Sequence, residues 1–545
     1  MMLHRLFPRH RPLSRTTCRR SMSTDATPKT TPMADGEIIK EGRAKIIFPK
    51  GNQVFYNKVQ VLNRDLSIAV INQFAHERAR EAILKQRKRE KNEEVPSDDE
   101  VKAHVLANAE TSGLKIFEAL SASGLRSIRY WQEIAGVKSI LVNDLDPAAV
   151  ISIKRNIEFN GLTTDKLIPN EDDATSVMYR HRKEADNFDV IDLDPYGSAS
   201  IFLDGAVQAI ANGGLLCVTC TDMPVLSGKD PDVCFHRYGS VPYKSNYLHE
   251  NALRMVLHSI ESAAIRYQKH IVPVVSCSID FYVRVFVRVY KSPVNVKASM
   301  TKQSYVYQCT GCDSFHMQPL GKFNGKTYSA SFVEPERALC DQCGKKFKMS
   351  GPIWSNPLHD RDMVLKVREN VIKEGVAKYP TKDRLHGLLT SVSEEVVDAP
   401  LYYTLHGICK TLHCSQLRMD QMQSAILNAG YKVSQSHKVP EAIKTDAPND
   451  IIWDIMRCWV KKHPISKKHE SERDAGTQIL AKEPKHEAVF TGKRPSAGKE
   501  KALRFPKNPE AYWGPKSRAR GLAGAELARV VEGEPEGKKP KLDDQ

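Results

Sequence analysis

The sequence predicts an α/β fold built on a parallel sheet, followed by a second domain of mixed α+β type. Between residues 114 and 220, short apolar segments alternate with amphipathic segments of helical period, which is typical of βαβ units. Acidic residues stand where these apolar segments end, at the edge where parallel sheets bind their ligands. After residue 292 the alternation stops and two Cys-x-x-Cys pairs follow, so a different kind of domain begins there.

Length and charge narrow the class of protein. A chain of 545 residues exceeds what one hydrophobic core organises, so two or more domains are expected. Its 81 Lys and Arg against 65 Asp and Glu give a net charge of +16. Such an excess favours a polyanionic partner, although a basic surface can also serve solubility alone. Twelve cysteines are too few for a secreted disulfide framework, and the lack of an 18-residue apolar run argues against a membrane span.

The composition of successive segments predicts the domain boundaries. Residues 1–37 are rich in Ser, Thr and Pro and are expected to be disordered, and residues 38–292 carry the alternating pattern. Within them, residues 77–100 are almost continuously charged and are interpreted as an inserted, solvated helix that runs into a loop. Residues 293–463 form the second domain, and residues 464–545 are a basic and polar tail that is expected to be disordered.

Both termini carry possible targeting segments. Six arginines and no acidic residue occur between Met1 and Thr24, which is the composition of a mitochondrial targeting segment; a basic arm that touches RNA is the alternative. The cluster Lys538-Lys539-Pro540-Lys541 is a short candidate nuclear localisation signal. Localisation in both the mitochondrion and the nucleus is therefore expected.

A different strand pattern closes the first domain. From Ser276 to Tyr290 the residues alternate in period two, with Val283, Val285 and Val287 on one face. This predicts one long strand, added to the parallel sheet as an antiparallel edge or hairpin.

The first three strand ends predict a nucleoside cofactor. The first strand ends at Glu118 and runs into a turn of small residues that holds Ala122 and Ser123, where a dinucleotide motif would have glycines. The second strand ends at Asp144, where a carboxylate can accept both ribose hydroxyls, and Asp173-Ala174 follows the third. These positions alone leave NAD and S-adenosylmethionine equally open.

The fourth strand end indicates methyl transfer to an amine. It reads Asp194-Pro195-Tyr196-Gly197 and resembles the Asn/Asp-Pro-Pro-aromatic element of amino-methyltransferases. The amine of a nucleobase is a poor nucleophile because its lone pair is delocalised into the ring. Asp194 can orient that amine and accept its proton, a carbonyl beside Pro195 can accept the second N–H, and Tyr196 can stack on an extruded base. The alternative is an ordinary Asp-Pro turn.

The chain as a whole resembles the tRNA (guanine-26-N2)-dimethyltransferases. The resemblance extends from about Ile38 to Trp459, in the family's order, through VFYNKVQVLNRDLS (54–67), FEALSASGLRSIRY (117–130), DLDPYGS (192–198), HRYGSVPYKSNYLHENALRM (236–255), GPIWSNPLHD (351–360) and AIKTDAPNDIIWDIMRCWV (442–460). It implies a class I, Rossmann-like methyltransferase domain and a tRNA-binding C-terminal domain. The implied reaction transfers methyl groups from S-adenosylmethionine to N2 of guanosine 26. A non-catalytic tRNA-binding or folding module, or an amino-methyltransferase for another nucleic acid or a protein amine, is the alternative.

The resemblance also implies site residues. Asp194 would be catalytic, and Phe55 and Tyr56 match an aromatic pair near the target base. Lys58 departs from the family, which usually has proline there. The cofactor would contact Arg64, Arg126, Asp144, Asp173 and Ala174. A guanidinium can hold the methionine carboxylate in a fork; phosphate binding or plain exposure is the alternative for either arginine.

The cysteine pairs predict a structural zinc. Cys309, Cys312, Cys340 and Cys343 can supply four thiolates in tetrahedral geometry, which leaves no open position for catalysis. Redox use of the pairs is the alternative. Candidate phosphate contacts for tRNA are Arg237, Lys244, Arg284, Arg288, Lys345, Lys346, Lys348, Lys444, Arg457, Lys461 and Lys462.

Overall fold

The structure is a computed structural model. It describes residues 36–49, 56–91, 94–333, 338–465, 474–493, 495, 501–509 and 513. The expected targeting segment, the nuclear signal and Phe55 lie outside these ranges. Among the described residues, no helix combines the length and the apolar character that a membrane crossing requires.

The chain begins with a hairpin and a long helix. Strands β1 (Gly36–Glu41) and β2 (Ala44–Pro49) pair antiparallel. A 3-10 turn, Lys58–Gln60, leads into α1 (Val61–Arg89), followed by α2 (Asp98–Ala107) and α3 (Ala109–Ser112). The charged stretch is therefore helical through most of its length. It is more firmly attached than a solvated insertion would be, because Arg78 pairs with Asp189 of the sheet at 3.0 Å.

A seven-stranded mixed sheet forms the centre of the first domain. Its order is β5-β4-β3-β6-β7-β9-β8, parallel except for β9, which runs antiparallel to both neighbours. The strands are β3 (Leu114–Glu118), β4 (Val137–Asp144), β5 (Leu167–Glu171), β6 (Phe188–Leu193), β7 (Ile210–Cys220), β8 (Lys269–Ile279) and β9 (Tyr282–Lys291).

Helices connect these strands and cover both faces of the sheet. They are α4 (Leu125–Glu133), α5 (Pro147–Phe159), α6 (Ala174–Arg180), α7 (Leu203–Ala209), α8 (Met223–Leu226), α9 (Pro231–Tyr238) and α10 (Leu248–Ile265). One hydrophobic layer packs α6, α7 and α10 on the sheet, and the opposite layer packs α1, α4 and α5. The predicted α/β class is thus confirmed.

The prediction of one long strand from Ser276 to Tyr290 is wrong. The run is broken at Asp280, whose φ of 45° lies in the left-handed region, and the chain reverses there from β8 into β9. Ile279 pairs with Tyr282 across the turn, so the period-two alternation of side chains continues from β8 into β9. The sequence pattern therefore gives no sign that the chain reverses. The outer strand of the hairpin is β8, and β9 is buried between β7 and β8.

The C-terminal domain combines short sheets with helices. The antiparallel sheet β11-β10-β14 is joined by the hairpin β12-β13 and by the small sheet β15-β17-β16. Its strands are β10 (Gln303–Cys309), β11 (Phe315–Pro319), β12 (Gly321–Phe323), β13 (Tyr328–Ala330), β14 (Phe347–Trp354), β15 (Tyr403–Thr404), β16 (Val433–Ser434) and β17 (Ala442–Thr445). Its helices are α11 (Pro293–Lys297), α12 (Arg361–Glu374), α13 (Lys382–Glu394), α14 (Leu405–Leu412), α15 (Met419–Asn428), α16 (Asn449–Lys462) and α17 (Ala475–Leu480).

The two domains share a hydrophobic core. Val364 and Val367 of α12 and Leu385 and Leu389 of α13 are fully buried in the layer that also contains α1 and the sheet. Helices α12 and α13 belong to the C-terminal part of the sequence, yet they complete one face of the seven-stranded sheet. The relative position of the two domains is therefore fixed by packing.

Parts of the tail expected to be disordered are docked on this assembly. Helix α17 lies in the tail, and Leu503 approaches α13 so closely that a Cβ on Gly387 would stand 1.9 Å from its carbonyl oxygen. Arg504 pairs with Glu394 through two bonds of 2.8 and 2.7 Å. Further on, Trp513 donates to Asp280 Oδ2 at 2.9 Å, at the tip of the β8–β9 hairpin.

A buried ion cluster joins the start of the chain to the C-terminal domain. The fully buried Arg129 guanidinium contacts Glu41 at 2.7 Å, Asp65 at 2.8 Å and Glu133 at 2.9 Å. It also donates to the carbonyl of Lys378 at 2.9 Å. Burial raises the pKa of Asp65 even though Arg129 and a hydrogen bond from Thr381 oppose the shift.

Candidate functional site

A cavity of about 500 Å³ opens at the carboxyl edge of the sheet, where the strand order reverses between β3 and β6. This is the position at which open α/β sheets bind ligands, and the size suits a small-molecule site. Every described residue predicted for the cofactor or the target base lines it: Tyr56, Arg64, Glu118, Arg126, Asp144, Asp173, Ala174, Asp194, Pro195 and Tyr196.

The turn after β3 is shaped to approach a ligand closely. Ala122 has a φ of 48° and Gly124 a φ of 73°, so the backbone folds sharply before α4 begins. Asp144 Oδ2 accepts the Ala122 N–H at 2.7 Å, and its Oδ1 accepts the Asp146 N–H at 3.0 Å. The carboxylate therefore ties the end of β4 to the turn while it lines the cavity.

Asn143 holds three strand ends together and was missed in the sequence analysis. Its buried Nδ2 donates to the carbonyls of Ala119 and Asp172, both at 3.0 Å. The neighbouring Asp173 caps α6 by accepting the Ser176 N–H at 2.7 Å. An amide beside the expected Asp144 was the only sequence indication of this role.

The turn that carries Asp194 is held rigidly. Gly197 N–H donates to Thr221 Oγ1 at 2.7 Å, and Thr221 N–H donates to the Gly197 carbonyl at 2.8 Å, so β7 fixes the loop after β6. The Asp194 side chain is 18% exposed and accepts from Arg126. Tyr196, beside it on the cavity wall, is 54% exposed, as a stacking surface for an incoming ring must be.

Arg126 is the electrostatic centre of the site. Besides Asp194 it faces Glu118 at 3.7 Å and Asp192 at 3.6 Å. Burial disfavours its charge, but the carboxylates outweigh burial and hold its pKa well above the usual value. Burial also raises the pKa of Glu118 to about 7, against the opposing effect of Arg126. The floor of the cavity thus carries one arginine shared among three acidic groups.

Arg64 is held by a carboxylate on the N-terminal hairpin. Its guanidinium contacts Glu41 through two bonds of 2.6 and 2.5 Å and donates to the Asn57 carbonyl at 3.3 Å. Tyr56 donates to the same Glu41 at 3.0 Å. Despite burial, Arg64 and Arg129 lower the pKa of Glu41 to about 2. The contact orients Arg64 toward the cavity and brings Tyr56 beside it.

Three of the candidate phosphate contacts are wrong because they are buried in ion pairs. Arg284 is fully buried and binds Asp192 at 2.8 Å, Lys444 binds Glu250 at 2.7 Å, and Arg457 binds Asp454 at 2.6 Å. The partners of Arg284 and Lys444 are distant in sequence and cannot be read from local sequence, whereas Asp454 is three residues from Arg457 on α16. In contrast, Lys244, Lys346 and Lys348 are exposed.

The four predicted cysteines converge. Their sulfurs lie within 4.8 Å of one another and are buried, with Cys309 and Cys343 at 3.4 Å and Cys312 and Cys340 at 3.6 Å. Such distances match the edges of a tetrahedron with Zn–S bonds of about 2.3 Å. The described residues hold a second group, His359, Glu395 and His437, but its ring nitrogens accept backbone N–H groups of Ser276 and Ser278.

Fold and site together define a class of protein. Counted along the chain, the sheet strands stand in the order 3-2-1-4-5-7-6, and the acidic strand ends surround one cavity, which is the arrangement of class I methyltransferases. Residues 35–457 match the family model described as N2,N2-dimethylguanosine tRNA methyltransferase. The chain belongs to this family.

Relatives span nearly the whole chain. It is 46% identical to tRNA (guanine(26)-N(2))-dimethyltransferase 2 of Arabidopsis thaliana, over 90% of both chains. It is 43% identical to the Homo sapiens tRNA (guanine(26)-N(2))-dimethyltransferase, over 88% of this chain and 77% of the relative. The solved structure of Trm1 from Pyrococcus horikoshii with S-adenosyl-L-methionine superposes with a TM-score of 0.61 at 26% identity, covering 76% of this chain and 98% of that one.

Proposed function

We propose that this protein transfers methyl groups from S-adenosylmethionine to the exocyclic N2 of guanosine 26 in tRNA, giving N2-methyl- and then N2,N2-dimethylguanosine. The observation that carries the proposal is the Asp194 carboxylate, held by Arg126 on a rigid turn at the wall of a cavity. The substrate is inferred from the names of the relatives. The methyl donor is inferred from the S-adenosyl-L-methionine in the Pyrococcus horikoshii structure.

The strand-end residues fit a nucleoside cofactor. Asp144 and Asp173 are the carboxylates available for ribose hydroxyls and for an adenine amine, and Ala174 leaves room beside them. Arg64 and Arg126 are the cations available for a carboxylate, and Glu118 lines the same cavity at 3.7 Å from Arg126. S-adenosylmethionine supplies a methyl group already activated by a sulfonium, so the protein needs chiefly to position the nitrogen.

Asp194 performs that positioning. Its carboxylate accepts an N–H of the target amine, turns the nitrogen lone pair toward the methyl group and takes the proton that the amine loses. The carbonyl beside Pro195 accepts the second N–H. Tyr196 stacks on the extruded base from the cavity wall, and Tyr56, fixed by Glu41, also lines the cavity.

Product identity tests the proposal. An unmodified tRNA transcript incubated with the protein and methyl-labelled S-adenosylmethionine should yield labelled N2-methyl- and N2,N2-dimethylguanosine on nucleoside analysis. A transcript with adenosine at position 26 should take up no label. Label in any other nucleoside, or uptake by the adenosine transcript, would contradict the assigned substrate.

We further propose that Cys309, Cys312, Cys340 and Cys343 hold a structural zinc ion. The ion would close the base of sheet β11-β10-β14, since the sulfurs belong to the core cluster that also contains α14 and α16. Four thiolates leave no position for substrate, so the ion stabilises the domain and takes no part in the reaction.

Removal of one zinc ligand should release the metal and loosen the C-terminal domain. We expect Cys312→Ser to lose its bound zinc and to lower the melting temperature by roughly 10 °C, because metal binding here is part of the folding free energy. Elemental analysis and thermal unfolding measure both effects. Cys414→Ser is the matched control and should keep one zinc per chain; full zinc content in Cys312→Ser would contradict the site.

The exposed lysines near the cysteine cluster are proposed to contact tRNA phosphates. Lys348 lies over the Tyr243 ring at 5.7 Å, and the bridge between Val241 and Gly351 holds this loop against β14. The chain reaches this loop from Thr221, which lines the cavity, through α8 and α9. Lys244, Lys346 and Lys348 therefore form a basic surface connected to the catalytic edge.

Neutralising this surface should weaken tRNA binding in a salt-dependent way. We expect the triple variant Lys244→Ala, Lys346→Ala and Lys348→Ala to raise the Kd for tRNA by about tenfold or more, and to lower the slope of log Kd against log salt by roughly 2. The rate at saturating tRNA should change little. Lys166→Ala, at the opposite edge of the sheet, is the control; an unchanged salt slope in the triple variant would refute the contact.

Localisation in the mitochondrion and the nucleus is proposed from the terminal sequences. The relative from Saccharomyces cerevisiae, 36% identical over 89% of this chain, is named as a mitochondrial enzyme. A fluorescent protein fused to residues 1–37 should enter mitochondria, and cytosolic retention of that fusion would contradict the N-terminal assignment.

A further inference from the structure

Gln60 lines the cavity that also contains Asp194, and it is not among the residues predicted from the sequence. It ends the 3-10 turn before α1, and its backbone N–H donates to the Asn57 carbonyl at 3.1 Å. This half-buried residue lines the cavity, and its side chain accepts a hydrogen bond from Asn63.

The hydrogen-bond network determines the positions of the amide oxygen and the amide nitrogen of Asn63. A guanidinium can only donate and a carboxylate can only accept. Arg126 Nη1 donates to Asn63 Oδ1 at 3.5 Å, and Asn63 Nδ2 donates to Asp194 Oδ2 at 3.5 Å. Asn63 is fully buried, so a reversed amide would place like groups against each other at both contacts.

The orientation of Asn63 in turn fixes Gln60. Asn63 Nδ2 donates to Gln60 Oε1 at 2.9 Å, so the oxygen of Gln60 is engaged inside the network. Its Nε2 amino group is then the end left for the cavity, and within the described residues no hydrogen bond from Nε2 is present. The wall beside the acceptor Asp194 therefore offers a hydrogen-bond donor.

We propose that Gln60 determines the specificity for guanine by donating from Nε2 to O6 of the target base. This inference rests on the proposed function. Guanine combines an acceptor, O6, with the donor amine at N2 on one edge of the ring. Asp194 and Gln60 present the complementary pair, and one Asn63 nitrogen contacts both, so they lie within two hydrogen-bond lengths of each other. Adenine offers an amine where guanine has O6 and is rejected.

The contact can be measured with base analogues at the target position. 2-Aminopurine keeps the N2 amine but lacks O6, so we expect wild type to prefer guanine over it by about 10–100-fold in kcat/KM. Gln60→Leu should reduce this preference to within about threefold by slowing the guanine substrate. The guanine to 2-aminopurine ratio of kcat/KM is compared between wild type and Gln60→Leu, so differences in the intrinsic reactivity of the two amines cancel.

The second variant reverses the polarity of the proposed contact between residue 60 and the base. Gln60→Glu replaces the donor with an acceptor, so it should favour 2,6-diaminopurine, which carries an amine at C6, over guanine. Gln86→Leu, on the solvated end of α1, is the matched control and should keep the wild-type ratios. S-adenosylmethionine binding verifies that each variant is folded.

The outcomes separate the two claims. If both Gln60 variants keep the wild-type preference for guanine, the specificity role is overturned while the methyltransferase function stands. If wild type forms no N2-methylated guanosine on the natural substrate, the proposed function itself fails. A merely structural role for Gln60 would slow guanine and 2-aminopurine equally and leave their ratio unchanged, which also counts against the inference.

Discussion

Asp194→Asn and Asp194→Ala are expected to lower single-turnover methyl transfer by roughly 10³-fold or more, because orientation of the amine and acceptance of its proton are lost together. Asparagine keeps one oxygen acceptor but has no charge to take up a proton, so it should not rescue the reaction. Binding of S-adenosylmethionine and of tRNA should remain within about threefold of wild type, since base and cofactor have other contacts.

Asp189→Asn provides the matched control for Asp194. Asp189 also lies on β6, but at the opposite end of the strand, where it pairs with Arg78. Its variant should methylate tRNA at near wild-type rate. Quenched-flow or rapid-filtration assays with excess enzyme measure the chemical step. Equal rates for Asp194→Ala and wild type would remove Asp194 from the mechanism.

Arg129→Met is expected to be the most destabilising single change outside the site. It leaves Asp65 and Glu133 buried without their cation, and breaking a buried pair in this way costs about 3–5 kcal/mol. The melting temperature should fall by roughly 10 °C. Because the variant removes the guanidinium that opposes the effect of burial on the pKa of Asp65, this carboxyl takes up a proton more readily, and the difference from wild type should shrink as the pH is lowered from 7 to 5.

Thermal and urea unfolding across that pH range measure the effect of Arg129. Arg87→Met is the control, since Arg87 pairs with the exposed Glu100 and such pairs contribute less than about 1 kcal/mol. If Arg129→Met were as stable as wild type at pH 7, the ion cluster would not contribute to the stability of the fold.

The parts of the site that could be predicted from sequence are those set by strand order. Asp144, Asp173 and Asp194 each follow an apolar strand, and parallel strands bring their carboxyl ends to one edge, so their meeting around a cavity needs no knowledge of side-chain contacts. The convergence of the four cysteines was predictable for a similar reason, because two Cys-x-x-Cys pairs are typical of metal sites by residue type and spacing.

Contacts between distant residues could not be predicted. Arg284 and Lys444 look like phosphate ligands in the sequence, but their partners Asp192 and Glu250 lie 92 and 194 residues away. The turn at Asp280 was missed because strand periodicity continues through it. Gln60 was missed because its role depends on the orientation of Asn63, which is set by Arg126 and Asp194 together.

The docking of Leu503 on Gly387 has a genetic consequence. A premature stop codon between residues 465 and 503 would spare every residue matched by the family, since the match ends at 457. It would nevertheless uncover α13, leave Glu394 without Arg504 and remove Trp513 from the hairpin tip. An allele truncated there encodes every residue that lines the cavity and still lacks part of the folded protein, so we expect its product to be less stable than the untruncated protein.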